Sequence, residues 1–204
     1  MEVMQNFWRN AALVLGGLLV IVLGGHWWNY AALNSGKNSA AAKLSDIAVM
    51  EQRRGDLVVQ VLPVVEAAAK QERTVIDSVT KARAELGKVQ VSIGSSQADL
   101  QKFVEAQNQF SSALSKLMVV VENYPQLKSL SNMQTFQSQL EGSENRIAVA
   151  RVDYNGVVRE YNKCVTGFFC SYTASRNGFV ALPYLEAPAK SRDLPNTKID
   201  LNKG

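Results

Sequence analysis

Apolar positions recur along this chain in two ways: an unbroken block near the amino terminus, then three long seams at helical spacing. From Ala11 to Gly25 run fifteen uncharged residues, followed directly by His26, Trp27, Trp28, Asn29 and Tyr30. A helix over residues 7–33 is about 40 Å long at about 1.5 Å per residue, enough for about 30 Å of hydrocarbon. Trp8 at one end and Trp27, Trp28 and Tyr30 at the other stand where amphipathic rings favour a membrane boundary. The alternative is a cleaved secretory signal. Arg9 alone makes a poor positive leader, however, and no small-x-small site precedes the Trp pair, so we read a retained single-span anchor.

After a polar joint at Asn34 to Asn38 with Gly36, the first seam runs through Ile47, Met50, Arg54, Leu57, Val61, Val64, Ala68, Glu72, Val75, Val79, Ala82 and Leu86. Steps of three and four throughout predict one long amphipathic helix, kinked or divided into collinear segments at Pro63. Gly94, Ser95 and Ser96 break the pattern. The second seam is Leu100, Phe103, Gln107, Phe110, Leu114, Leu117 and Val121, ending near Tyr124 because Pro125 disfavours helix in the residue before it. The third is Phe136, Leu140, Ile147, Tyr154, Val158, Tyr161 and Val165, starting near Leu127 or Ser131 and stopping at Gly167. Three helices joined by short turns run antiparallel. The predicted fold is therefore all-α: an N-terminal transmembrane helix in segment 1–34, an elongated, coiled-coil-like antiparallel three-helix bundle over 39–186, and a flexible tail over 187–204.

Composition removes several classes of function. Among 204 residues, 22 Lys+Arg against 18 Asp+Glu give a net charge of +4, and no basic run exceeds two residues, so nucleic acid is not an expected partner. One His and two Cys are too few for a zinc site within this chain. No Ser/His/Asp set, phosphate-binding glycine loop or metal-ligand spacing occurs, so no catalytic residue, cofactor or metal is assigned. His26 is read as an interfacial residue.

Cys164 and Cys170 lie six residues apart, which on a continuous helix turns them about 240° from each other, out of bonding reach. If the helix ends at Gly167 the chain can fold back and bond them, and such a disulfide persists in an oxidising compartment. Two buried small apolar residues are the other reading. Tyr154-Asn155 and Tyr161-Asn162 repeat at seven residues on nearly one helical face, where Asn beside a core fixes register by bonding across helices. Arg53, Arg54, Arg83, Arg146 and Arg151 have Glu72, Glu122, Glu141 and Glu144 as interhelical ion-pair partners, with a basic strip near anionic headgroups as the alternative. Asn145 and Arg151 are placed around one seam, and Val58, Val119 and Val149 are expected to be exposed apolar positions suited to lateral self-association.

The run Gly142 to Asn162, GSENRIAVARVDYNGVVREYN, closely resembles the LemA family pattern: Glu144, Asn145, Ile147, Ala150, Arg151, Tyr154, Asn155, Tyr161 and Asn162 all match. Gln52-Arg53-Arg54 with Asp56-Leu57, Val79 to Arg83, and Glu122-Asn123-Tyr124-Pro125-Gln126-Leu127-Lys128 agree in order, so the resemblance covers about residues 29–186. Where the family usually has Pro-Asn and His-Glu this chain has Val59-Gln60 and Gln71-Glu72, and Phe168-Phe169-Cys170 replaces a Phe-Pro, which makes the cysteine pair a local feature. The resemblance implies a membrane-anchored antiparallel helical bundle with no established enzymatic activity, with Arg53, Arg54, Asp56, Arg83, Tyr124, Pro125 and the matched residues of the third helix as its structural positions.

The function expected from this is a non-enzymatic scaffold in a bacterial cytoplasmic membrane, with the lipid bilayer, further copies of itself or another membrane protein as partners. Because some relatives lie beside membrane metalloproteases, an adaptor of a membrane protease or envelope-stress system is the alternative, and an enzyme built around Arg151, Tyr154 and Asn155 the more distant one. The cysteines favour a bundle outside the cytoplasm. Lys37, Lys43, Arg53 and Arg54 after the span, against Arg9 before it, favour the cytosol.

Overall fold

The computed structural model describes residues 2–185, all helix, turn and extended connection with no strand among them. The order is α1 (Glu2–Ala68), a 3-10 turn (Lys70–Glu72), α2 (Arg73–Lys88), α3 (Gln97–Asn123), α4 (Pro125–Lys128), α5 (Ser131–Thr166) and α6 (Phe168–Arg176). The tail read over 187–204 lies outside the described residues. The described residues form two compact units, 2–42 with 156–182, and 43–155 with 183–185.

In the second unit the expected first bundle helix does not continue to Leu86. It stops at Ala68, and α2 folds back on α1: Arg83 Nε donates to Gly55 O and its Nη2 to Asp56 Oδ1, both at 3.1 Å. On one straight helix these residues, 27 and 28 positions apart, would be separated by about 40 Å. The unit thus packs four helical segments, from α1, α2, α3 and α5, where the seams suggested three. Pro63 does not mark the break. It sits inside α1 on an exposed face one turn after the exposed Val59, where the missing amide is tolerated, and the chain turns at Ala69–Glu72.

The fold-back also changes which face of α1 is inside. Buried positions run Ile47, Glu51, Arg54, Val58, Val61, Val65 and Ala69, so Glu51 takes the core place expected for Met50, and Val58 and Val65 those expected for Leu57 and Val64. Val58 is accordingly core; Val119 and Val149 are exposed as expected. In α2, Ile76 with Val79, Ala82 and Leu86 faces inward. α3 begins with a capping box, Ser96 Oγ accepting from Asp99 N while Asp99 Oδ2 accepts from Ser96 N. The Ser96 hydroxyl, which also donates to Asp99 Oδ2 at 2.7 Å, and then the Ser96 amide hold the Asp99 carboxyl below its ordinary pKa. Its buried face, including Leu100, Phe103, Gln107, Phe110, Leu114, Leu117 and Val121, is the one the second seam marks.

In the first unit α1 passes through Asn34–Asn38 without a break. Gly36 is a packing contact rather than a joint: a Cβ there would lie 3.2 Å from Tyr161 Cδ2. α5 ends where the sequence stops it, since a Cβ on Gly167 would lie 2.6 Å from Lys163 O. Beyond it the chain forms the nine-residue helix α6 and then an extended segment. From Leu13 to Leu23 the large apolar side chains of α1 are exposed, and by length and composition this helix is able to cross a membrane.

Candidate functional site

Two constellations that involve α5 gather Arg54, Glu144, Arg151 and both Tyr-Asn pairs. The first lies in the second unit, where α1, α3 and α5 bring charged groups into the core. Arg54 and Glu51 are each only 2–3% exposed, with Arg54 Nη2 2.8 Å from Glu51 Oε2. Arg54 Nη1 lies 3.6 Å from the half-exposed Glu144, and the guanidinium stands 5.2 Å from the centroid of the Phe110 ring. From α5, Arg151 Nη2 donates to Gln107 Oε1 on α3. The Glu51–Arg54 contact is charge to charge: neither Glu51 oxygen accepts an aligned hydrogen bond, and Arg54 Nε, Gln107 Nε2 and Arg151 Nε and Nη1 are likewise unpartnered.

Burial decides the electrostatics here. Removal from water pushes the Glu51 carboxyl above its ordinary pKa, although Arg54 and Arg151 pull the other way. Arg151 is lowered for the same reason, with Glu51 opposing. Such a cluster ties three helices into one register, because removing any member strands a charge in a dry place.

The second constellation is the doubled Tyr-Asn motif, which does not bond across helices. It holds the extended segment after α6. In the first unit Asn162 Nδ2 donates to Leu182 O at 2.8 Å and Asn162 Oδ1 accepts from Leu182 N at 2.7 Å, while Tyr161 Oη donates to Val180 O at 3.1 Å. In the second unit Asn155 Nδ2 donates to Leu185 O at 2.8 Å, Asn155 Oδ1 accepts from Leu185 N at 2.9 Å, and Tyr154 Oη donates to Pro183 O at 3.0 Å. Each carboxamide thus copies the two-bond pairing of a neighbouring strand. Pro183 fits because its nitrogen has no donor to satisfy. Burial pushes the Tyr154 hydroxyl up to about 12, so it remains a donor at any physiological pH. In the sequence the partners show only as Val180/Pro183 and Leu182/Leu185, two threefold spacings that by themselves name no partner.

The remaining motif residues are placed as follows. Arg53 and Asn145 are exposed, so Asn145 does not share the buried seam with Arg151. Asp56 pairs with Arg83. Tyr124 caps the end of α3 and Pro125 opens α4. Cys164 and Cys170 are joined, with Cα atoms 5.3 Å apart. Trp8, Trp27 and Trp28 are exposed and Tyr30 partly so, its ring edge-on to Phe179 at 5.7 Å. Among the described residues no group of three or more His, Cys, Asp or Glu could hold a metal ion.

Two measurements follow. Asn162→Ala removes two neutral hydrogen bonds of about 1 kcal/mol each, so local opening becomes easier by roughly 2 kcal/mol and amide exchange at Leu182 faster by about thirtyfold. Exchange mass spectrometry checks this against Asn145→Ala, for which no change is expected. For Glu51, a folded pKa above the unfolded value of 4.5 means that the folded state binds the proton more tightly. Stability from this group therefore increases as pH falls through the raised pKa and is complete below the unfolded value. Urea unfolding of wild type against Glu51→Gln, from pH 7 to pH 4, should show wild type gaining on the variant; a constant difference would exclude Glu51 as the titrating group.

Comparison with known proteins adds two findings. "Magnetosome protein MamQ 2" of Paramagnetospirillum magneticum is 29% identical over 72% of this chain and 61% of its own length. "Magnetosome protein MamQ" of Magnetospirillum gryphiswaldense is 29% identical over 74% and 62%. The chain thus spans less than two thirds of the curated relatives it matches. The LemA family pattern matches residues 43–199, most of the chain and both constellations, and the chain belongs to the LemA family.

Proposed function

We propose that this LemA-family chain is a non-enzymatic, single-span membrane protein whose helical part acts as an interaction or assembly scaffold. The observation that carries the reading is the exposed apolar stretch of α1. No residue of its most apolar window is buried, whereas α2 and α3 each bury an apolar face. A bilayer is the environment that removes such a stretch from water. The polar constellations support a structural rather than a catalytic role, since Tyr154, Asn155, Tyr161 and Asn162 spend their hydrogen bonds on the chain's own backbone. The exposed Val119, Val149 and Val152 favour lateral association of copies.

Light scattering on detergent-solubilised protein tests the assembly. A mass of several copies supports the scaffold, a monomer at every concentration removes self-assembly, and a stoichiometric protease recovered from native membranes replaces the scaffold with an adaptor.

We further propose that the bundle lies outside the cytoplasm, at a bacterial inner membrane. The support is the Cys164–Cys170 disulfide, a bond that oxidising compartments preserve. In intact cells a membrane-impermeant maleimide should label the protein only after reduction; labelling only after lysis and without reduction would place the bundle in the cytosol.

A further inference from the structure

The unit that contains the apolar stretch of α1 carries a second apolar feature, on α6. This helix leaves α5 at Gly167, and the Cys164–Cys170 disulfide ties its first turn to the end of α5. It packs on the part of α1 that directly follows the apolar run. Asn29 Nδ2 donates to Phe169 O at 2.9 Å, and Thr173 Oγ1 lies 3.0 Å from His26 Nδ1. The later α6 residue meets the earlier α1 residue, so α6 runs antiparallel to α1, back toward the apolar run. At Thr173 it has reached the level of His26, one residue past Gly25.

These polar contacts occupy one side of α6. The other side is aromatic and largely exposed: Phe168 is 89% exposed, Phe169 83% and Tyr172 73%, with the Tyr172 ring edge-on to His26 at 6.3 Å. Trp27 and Trp28, on the same stretch of α1, are 70% and 71% exposed. Rings left this bare in water keep a large apolar area hydrated. At a bilayer boundary the same rings are in their preferred setting. Arg176, exposed in the last turn of α6, adds a cation suited to headgroup phosphates.

We propose that α6 is a second membrane-contacting element, a short helix whose Phe168, Phe169 and Tyr172 lie in the interfacial layer of the bilayer at the depth of Trp27 and Trp28. The proposal rests on the single-span reading of α1. Its occupant is lipid rather than protein because α6 is seated on His26 and Asn29, directly after the apolar run, which puts its exposed aromatic side at the exit of the span. The disulfide has a place in this arrangement: it holds the start of α6 against the end of α5, so the rings are presented rather than folded away.

The test uses the full chain, with its disulfide intact as checked by mass, reconstituted in vesicles of phosphatidylethanolamine and phosphatidylglycerol. A nitroxide is attached at Tyr172→Cys, and in separate preparations at Leu18→Cys within the span and at Val119→Cys on the bundle; Phe168→Cys repeats the α6 measurement in case Tyr172→Cys misfolds. Relaxation by oxygen reports lipid and relaxation by a water-soluble nickel chelate reports water. The expected result is nickel accessibility several-fold lower at Tyr172 than at Val119, with oxygen accessibility raised toward that of Leu18. Nickel accessibility equal to that of Val119, with Leu18 still shielded, overturns the α6 proposal and leaves the span intact. Nickel access at Leu18 overturns both. Shielding of Tyr172 from nickel and oxygen alike means that protein, not lipid, covers α6, and also overturns the proposal.

Discussion

An arginine buried among helices must be partnered, and Arg54 sets that constraint for the second unit of this protein. Its guanidinium is nearly inaccessible, so Glu51 on its own helix and Glu144 on α5 approach it, and the Phe110 ring of α3 lies against it. Arg151 and Gln107 add a second crossing between α5 and α3 in the same region. Apolar faces alone would permit the helices to slide by a turn at small cost, whereas a slip here would strand charges in a dry core. The contacts between helices, Arg54 with Glu144 and Phe110 and Arg151 with Gln107, therefore contribute less to net stability than to the choice of one register.

α5 performs a second task with neutral groups. Asn155 and Asn162 give an extended chain the donor and acceptor that a neighbouring strand would give, without any strand being present. A helix cannot pair its backbone with an outside segment, because its own ladder uses those groups. Side-chain carboxamides are the available substitute, and flanking tyrosines add a third bond to each clamp. Leu182 and Leu185 are buried at the clamped positions, so hydrogen bonding and apolar burial select the same register.

Within the first unit, polarity is divided sharply along α1. Leu13 to Leu23 present only apolar surface, whereas His26 and Asn29, immediately beyond, are engaged by α6. The change from exposed apolar to polar and contacted surface falls at Gly25 and His26, where the aromatic residues cluster. The LemA pattern begins only at residue 43, so the apolar segment and the α1 face that receives α6 lie outside the matched family region.

The sequence by itself determined the all-α class, the apolar segment, the faces of α3 and α5, and the stop at Gly167. Each depends on interactions within a few residues: periodicity, a capping box, a proline after Tyr124, a glycine with no room for a Cβ. Only the tertiary structure decided the rest. Ala67-Ala68-Ala69-Lys70-Gln71-Glu72 has no local reason to leave the helix, and the chain turns there because α2 gains a partner by folding back on α1. The inward face of α1 was displaced by one residue for a related reason. Steps of three and four between Ile47 and Arg54 pass equally through Met50 or Glu51, and Glu51 becomes admissible in the core because Arg54 is beside it. The Tyr-Asn repeat was visible as a pattern, while its partner was not. Hydrogen bonds to a backbone twenty or thirty residues away leave no periodic trace at either end alone, and only the folded chain shows which carbonyl each Tyr-Asn pair holds.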